Sequence, residues 1–226
     1  MPVCWSIHPD RTWLIPVFLV LSAPLALPAA ADDRQPPTVI EDHSFTAEHD
    51  GTTQRYVTIT PTDLTTQQPV RLLIALHGHG SDRWQFVRQP RDECRATRDV
   101  ALAHRLILVS PDYRAATSWM GPAAEADLLQ IIRELKSEWS VDSIILCGGS
   151  MGGTGALTFT ALHPDLINGV VSLNGTANLV EYERFQQAIA ESFGGTRQDV
   201  PEQYRRRSAE FFPDHFQMPF AATTGG

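Results

Sequence analysis

Between the apolar run Ile144 to Cys147 and the helix-forming stretch Gly152 to His163 there is room for little more than one serine. The joining residues, Gly148-Gly149-Ser150-Met151-Gly152-Gly153, carry the pattern G-x-S-x-G in a strand–turn–helix context, and the context makes the pattern specific. So tight a turn presses the end of the strand against the start of the helix. Small residues at 148, 152 and 153 remove the Cβ atoms that would collide there. The turn also lifts Ser150 clear of the sheet, while the helix that follows aims its free N–H groups and positive dipole end at charge developing beside it. A hydroxyl presented in this way is a candidate nucleophile, provided a base can take its proton. Two other uses of such a turn compete. A phosphate-binding turn of the dinucleotide type requires G-x-G-x-x-G, which is not matched here, and the segment lies mid-chain. A tight turn with no chemistry stays open.

The remaining apolar runs fit the same architecture. Val70 to Leu76 is nearly continuous in its apolar character, as expected of a strand covered on both faces, and Leu106 to Ser110 and Gly169 to Leu173 repeat the signal. Helices are expected over Asp92 to His104 and after Gly121-Pro122, where Leu128, Leu129, Ile131, Ile132, Leu135 and Trp139 fall mainly on one side. Asp50-Gly51, flanked by Ser44 to Glu48 and Arg55 to Thr60, signals an opening antiparallel hairpin. Buried strands alternating with helices indicate an α/β fold, a largely parallel sheet with helices on both faces. Ligands in such sheets sit beyond the carboxyl ends of the strands. That rule selects His77 to Asp82, Pro111 to Gly121, Gly148 to Gly152 and Asn174 to Ala177.

Of these, His77-Gly78-His79-Gly80-Ser81-Asp82 follows the first long buried strand, where its curled backbone can supply a hydrogen-bond donor to an oxyanion. The N–H of His79, good to one position against residue 80, and that of Met151 are the expected pair, with His77 orienting the loop. A metal site is the rival, since His77, His79 and Asp82 form part of a ligand set. Such a site needs more ligands, and no second histidine cluster supplies them, so no metal and no cofactor are expected. The formal net charge of -8 would repel a phosphate backbone, which argues against nucleic acid as a partner.

The first residues follow the order of an export signal: a weakly basic start, an apolar stretch from Trp13 to Leu27, and Ala29-Ala30-Ala31 before Asp32. Residues 1–31 are therefore expected to be a signal peptide, 32–42 an exposed linker, and 43–226 the folded domain, in a secreted or periplasmic protein. The apolar stretch is shorter than the ~20 residues a bilayer span requires and is broken by Pro16 and Pro24, so stable membrane insertion is not expected. Cys94 and Cys147 remain after cleavage. Whether they pair stays open, although Cys147, in an apolar run, reads as a small buried side chain.

Taken in order, the strand before His77-Gly78-His79-Gly80-Ser81-Asp82, then Leu108 to Arg114 (LVSPDYR), then Leu146 to Gly153 (LCGGSMGG) resemble the α/β-hydrolase superfamily, in particular secreted feruloyl/acetyl esterases and prolyl-oligopeptidase-like enzymes. The resemblance runs from about residue 55 to the end. It implies cleavage of a small-molecule or carbohydrate-linked carboxylic ester through an acyl-enzyme on Ser150, with triad partners in the order Ser, acid, His. Met218 to Thr224 looks like the strand that precedes the acid in that family, and Gly225-Gly226 like the start of its turn. Neither partner is found by residue 226, so the hydrolase domain is expected to be incomplete at its carboxyl end, weakly active at best and unstable.

Candidates inside the chain are weak. His163 closes the helix after Ser150, about 16 Å away at 1.5 Å per residue. His215 lies beside the end of the last strand opposite the catalytic edge, and Asp112 reads as a loop or substrate contact. Residues 178–212 form a possible lid-like insertion, with amphipathic pieces at Tyr182 to Phe193 and Pro201 to Phe212; an ordinary surface crossover is the alternative. Arg205 to Arg207 are a candidate attraction for an acidic substrate, but on successive helical positions they point in different directions and are expected to be solvated. Trp119 is a candidate wall for a sugar or aromatic ester, or else a packed core side chain. Two other functions stay in view: a non-catalytic secreted binding protein on a hydrolase scaffold, and an exported serine peptidase or acyltransferase.

Overall fold

The computed structural model describes residues 37–224, so the expected signal peptide, its cleavage site and Gly225-Gly226 lie outside the described residues. The strands are β1 (Thr38–Thr46), β2 (Thr53–Pro61), β3 (Val70–Leu76), β4 (Ile107–Pro111), β5 (Val141–Gly149), β6 (Gly169–Leu173) and β7 (Phe220–Thr223). They form one sheet in the order β1-β2-β4-β3-β5-β6-β7. From β4 to β7 all neighbours run parallel, and β1 and β2 add an antiparallel hairpin at one edge.

The hairpin closes where Asp50-Gly51 placed it: Gly51 has φ 75°, and Asp50 Oδ1 accepts the Thr52 N–H at 3.1 Å. β1 starts at Thr38, however, so residues 38–42 are strand and not linker. Four of its first five side chains are exposed. Backbone pairing to β2 holds them there, which leaves no apolar pattern to read.

Covering both faces explains the unbroken apolar runs. Leu72, Ile74 and Leu76 of β3 face α3 (Pro122–Glu138) and α4 (Met151–Leu162), packing with Leu128, Ile131, Ile132, Leu135 and Phe159. Leu73 and Ala75, pointing the other way, meet Phe86, Cys94 and Ala101 under α1 (Gln85–Arg88) and α2 (Asp92–Ala103). Each such buried aliphatic contributes roughly 1.5–3 kcal/mol. Pro122 opens α3 as expected of a residue that fixes φ and needs no intrahelical N–H bond.

The crossover between β6 and β7 carries α5 (Gln186–Phe193) and α6 (Pro201–Arg206), followed by 3₁₀ turns at Ala209–Phe211 and Pro213–His215. Both helices are shorter than the amphipathic pieces suggested. Arg207 departs from expectation further: it is buried, where a solvated side chain was expected. Its Nη2 pairs with Glu125 Oε2 at 2.7 Å and its Nη1 donates to the Met120 carbonyl at 2.9 Å. Glu125 also holds His163 Nε2 at 2.9 Å. Burial alone would raise the Glu125 carboxyl, but the hydrogen bond from His163 and the Arg207 charge outweigh it and hold the pKa at about 2. Cys94 and Cys147 are both buried and unpaired. Among the described residues no helix is long and apolar enough to cross a membrane.

Candidate active site

The order β4-β3-β5 reverses direction at β3, so the turns leaving β3 and β5 diverge and open a crevice at the carboxyl edge. A cavity of about 800 Å³ fills it, lined by residues 78–81 after β3, Gly149 and Ser150 after β5, Leu173 and Asn174 after β6, and Thr223 of β7. Gln85, Gln89, Arg91 and Glu93 form a polar wall on the α1–α2 side.

Ser150 is exposed between buried Gly148 and Met151. Its backbone, at φ 55° and ψ -117°, is in a region that costs a non-glycine residue roughly 1–3 kcal/mol and persists only where the surroundings enforce it. The enforcement is visible. A Cβ on Gly148 would lie 2.4 Å from the Gly152 carbonyl oxygen, and one on Gly152 would lie 1.9 Å from Leu76 O, so β5, α4 and β3 meet backbone to backbone. Ser150 N–H donates to Leu173 O at 2.8 Å, fixing the turn to β6. Thr154 N–H is the first in α4 with a partner, the Ser150 carbonyl at 2.9 Å, which leaves the earlier amides, Met151 among them, facing the crevice end without an intrahelical acceptor.

The loop after β3 is held on several sides. Tyr113 Oη donates to His77 O at 2.6 Å, and Gly80 N–H donates to Ala116 O at 2.7 Å. Gly78 N–H donates to Gln85 Oε1 at 2.9 Å, and Ser81 N–H to Gly78 O at 3.2 Å. With residues 78, 80 and 81 occupied, the N–H groups of His79 and Asp82 are left without an acceptor among the described residues, and of the two only His79 lines the crevice. Of the two residues considered as oxyanion donor, Gly80 thus has its N–H engaged and His79 does not.

His77 is buried, with ring nitrogens 2.9 Å from Gly78 O and 3.1 Å from Asp112 O; burial pushes its pKa below the usual value. Both neighbours are carbonyls, so the neutral ring donates to one of them at a time. Asp112 ties the β3 and β4 loops together through Arg83, accepting from its backbone N–H at 2.9 Å and pairing with its guanidinium at 3.0 Å. Among the described residues no three His, Cys, Asp or Glu side chains converge as a metal-ligand group.

Of the two expectations for Trp119, a wall of the crevice or a packed core side chain, the structure shows the second. It is 1% exposed and does not line the cavity. Its ring packs against His79, Tyr182 and Phe185, and its Nε1–H donates to His79 Nδ1 at 3.2 Å. The neutral His79 ring therefore carries its hydrogen on Nε2. Tyr182 and Phe185 are the nearest approach of the 178–212 segment to the site, and none of that segment lines the cavity.

Ser150 Oγ has no hydrogen-bond partner among the described residues. His163 is committed to Glu125, and His215, stacked on Phe212, places Nδ1 2.6 Å from Ala161 O near the far end of α4. Neither reaches the serine. Gln85 is the site residue sequence reasoning missed: a lone glutamine in a short polar–apolar segment has no periodic or motif signal.

Residues 79–223, well over half of the chain, match the profile of the alpha/beta hydrolase fold. No curated protein sequence matches it. Among solved structures it is similar to the substrate-bound fluorophosphonate-binding serine hydrolase F of Staphylococcus aureus, at 19% identity and TM-score 0.66 over 84% of this chain and 80% of that one. S-formylglutathione hydrolase from the same organism is 20% identical with TM-score 0.63, over 82% of this chain and 78% of that one. A ferulic acid esterase is 14% identical with TM-score 0.59, over 84% and 90%.

Proposed function

The chain belongs to the alpha/beta hydrolase family, and from that premise we propose that it is an exported serine hydrolase acting on carboxylic esters, with Ser150 as nucleophile. The observation that carries the reading is the backbone of Ser150: an exposed serine held at positive φ by glycine contacts on both sides, at the head of a helix and at the mouth of the crevice. Strain of this kind is retained where it presents a reacting group.

In the proposed reaction Ser150 Oγ bonds to the ester carbonyl carbon and its proton passes to a base. The carbonyl oxygen gains negative charge and is met by the N–H groups of Met151 and His79. Collapse breaks the bond to the alcohol, which leaves with the proton; water then attacks the acyl-serine, giving the acid and restoring the hydroxyl. The chemistry calls for no cofactor. It does call for a base that reaches Ser150 Oγ; His79 lines the crevice, but its Nδ1 accepts from Trp119 and its Nε2 carries the hydrogen, so it is not that base as placed.

The likenesses take in a ferulic acid esterase and S-formylglutathione hydrolase as well as a putative dipeptidyl aminopeptidase IV, so an ester substrate is the proposal and a peptide its rival. A second reading, a binding protein on the same scaffold, is favoured by the unpartnered Ser150 Oγ. Hydrolysis of a short-chain aryl ester separates the two: turnover by the chain that is lost in Ser150→Ala supports the hydrolase, and equal rates in both proteins overturn it.

A further inference from the structure

Gln85 is 3% exposed and is the first residue of α1, yet its side chain turns back to the end of β3. There Oε1 accepts the Gly78 N–H at 2.9 Å. Gly78 has left the sheet at that point and has no strand partner for this N–H, so the glutamine replaces the missing backbone acceptor. Gly78 also lies directly against the serine turn: a Cβ built on it would be 3.4 Å from Gly149 O and 4.0 Å from Ser150 Cβ.

The next peptide unit, from Gly78 to His79, has its carbonyl held by the Ser81 N–H at 3.2 Å, with the His77 Nδ1 2.9 Å away to donate in one tautomer. In a trans peptide the N–H points opposite to the C=O. Fixing Gly78 at its nitrogen and at its carbonyl therefore fixes the direction of the His79 N–H, the one crevice-lining amide of the loop without an acceptor among the described residues. We infer that Gln85 is a positioning residue that sets the His79 amide toward the reacting oxygen beside Ser150. This rests on the reading of Ser150 and His79 proposed above.

Gln85→Met keeps the length and apolar volume of the side chain and removes the acceptor; Gln85→Glu keeps an acceptor oxygen. In the full chain, Gln85→Met is expected to slow phosphonylation of Ser150 by a fluorophosphonate about 10²-fold, the scale of a 1 Å misplacement. In ester hydrolysis the loss should fall on kcat with KM little changed, and Gln85→Glu should recover most of it. Hydrogen exchange on the unsubstituted protein supplies an arm independent of activity and of the folding of variants. The Gly78 amide should be protected and the His79 amide should exchange freely. Gly78 exchanging as fast as His79, or Gln85→Met reacting at the unsubstituted rate, overturns the inference. If the unsubstituted chain does not react at all, the nucleophile reading fails, while exchange at Gly78 still decides the hold by Gln85.

Discussion

Replacing Arg207 by Met should destabilise the protein far more than loss of a surface arginine, and in a pH-dependent way. The guanidinium is 1% exposed and pairs at 2.7 Å with Glu125, whose own side chain is 11% exposed. Removing one partner of such a pair leaves a buried charge without compensation, at a cost of about 3–5 kcal/mol. The pH dependence gives an upper bound. Glu125 titrates at about 2 in the folded chain against an ordinary 4.5, a gap equivalent to about 3 kcal/mol that the His163 hydrogen bond and Arg207 share. Because the folded value is the lower one, this contribution is complete above about pH 4.5, shrinks as pH falls and is gone below about pH 2.

Without Arg207 the carboxyl rises, so the deficit of the variant should be largest at pH 7 and narrow towards pH 3. Arg206, 51% exposed and 3.6 Å from Glu125, is too solvated to take over. Urea unfolding of Arg207→Met and of the double variant Glu125→Gln/Arg207→Met at both pH values measures this, with the double variant recovering about 2 kcal/mol at pH 7 by removing the stranded charge. A single-variant deficit below about 1 kcal/mol at pH 7, or one equal at the two pH values, would refute the reasoning.

Two further outcomes follow from the packing. Gly152→Ala would place a Cβ 1.9 Å from Leu76 O, so α4 must move off β3; a destabilisation above about 2 kcal/mol in urea unfolding and loss of serine reactivity together are expected, and normal reactivity would count against the proposed turn geometry. Burial pushes the Cys147 thiol up to about 12 and raises that of Cys94, so neither should be alkylated by a thiol reagent at pH 8 until the protein is unfolded. Alkylation of the folded chain would contradict the packing of α2 on β5.

The parts of this fold that were legible in the sequence are those where one physical demand acts on consecutive residues. Val70 to Leu76 had to be apolar throughout because both of its faces are covered, and the turn around Ser150 had to be glycine-rich because three backbones meet there. The first residues of β1 were illegible for the opposite reason: an edge strand held by backbone bonds leaves its side chains free to be polar. Arg207 was misjudged and Trp119 left undecided because burial of a charge or of a ring depends on distant partners, Glu125 and His79, that no local pattern announces. The same holds for Gln85, whose use depends on where β3 ends. The choice between His79 and Gly80 turns on which N–H already has an acceptor, which no sequence pattern states.

The central claim, that Ser150 is an activated nucleophile, is tested most directly by intact-protein mass after exposure to a fluorophosphonate, with the modified peptide then identified. One adduct, on Ser150 and absent from Ser150→Ala, is the predicted result. No adduct on the folded chain, or one that persists in Ser150→Ala, would contradict it.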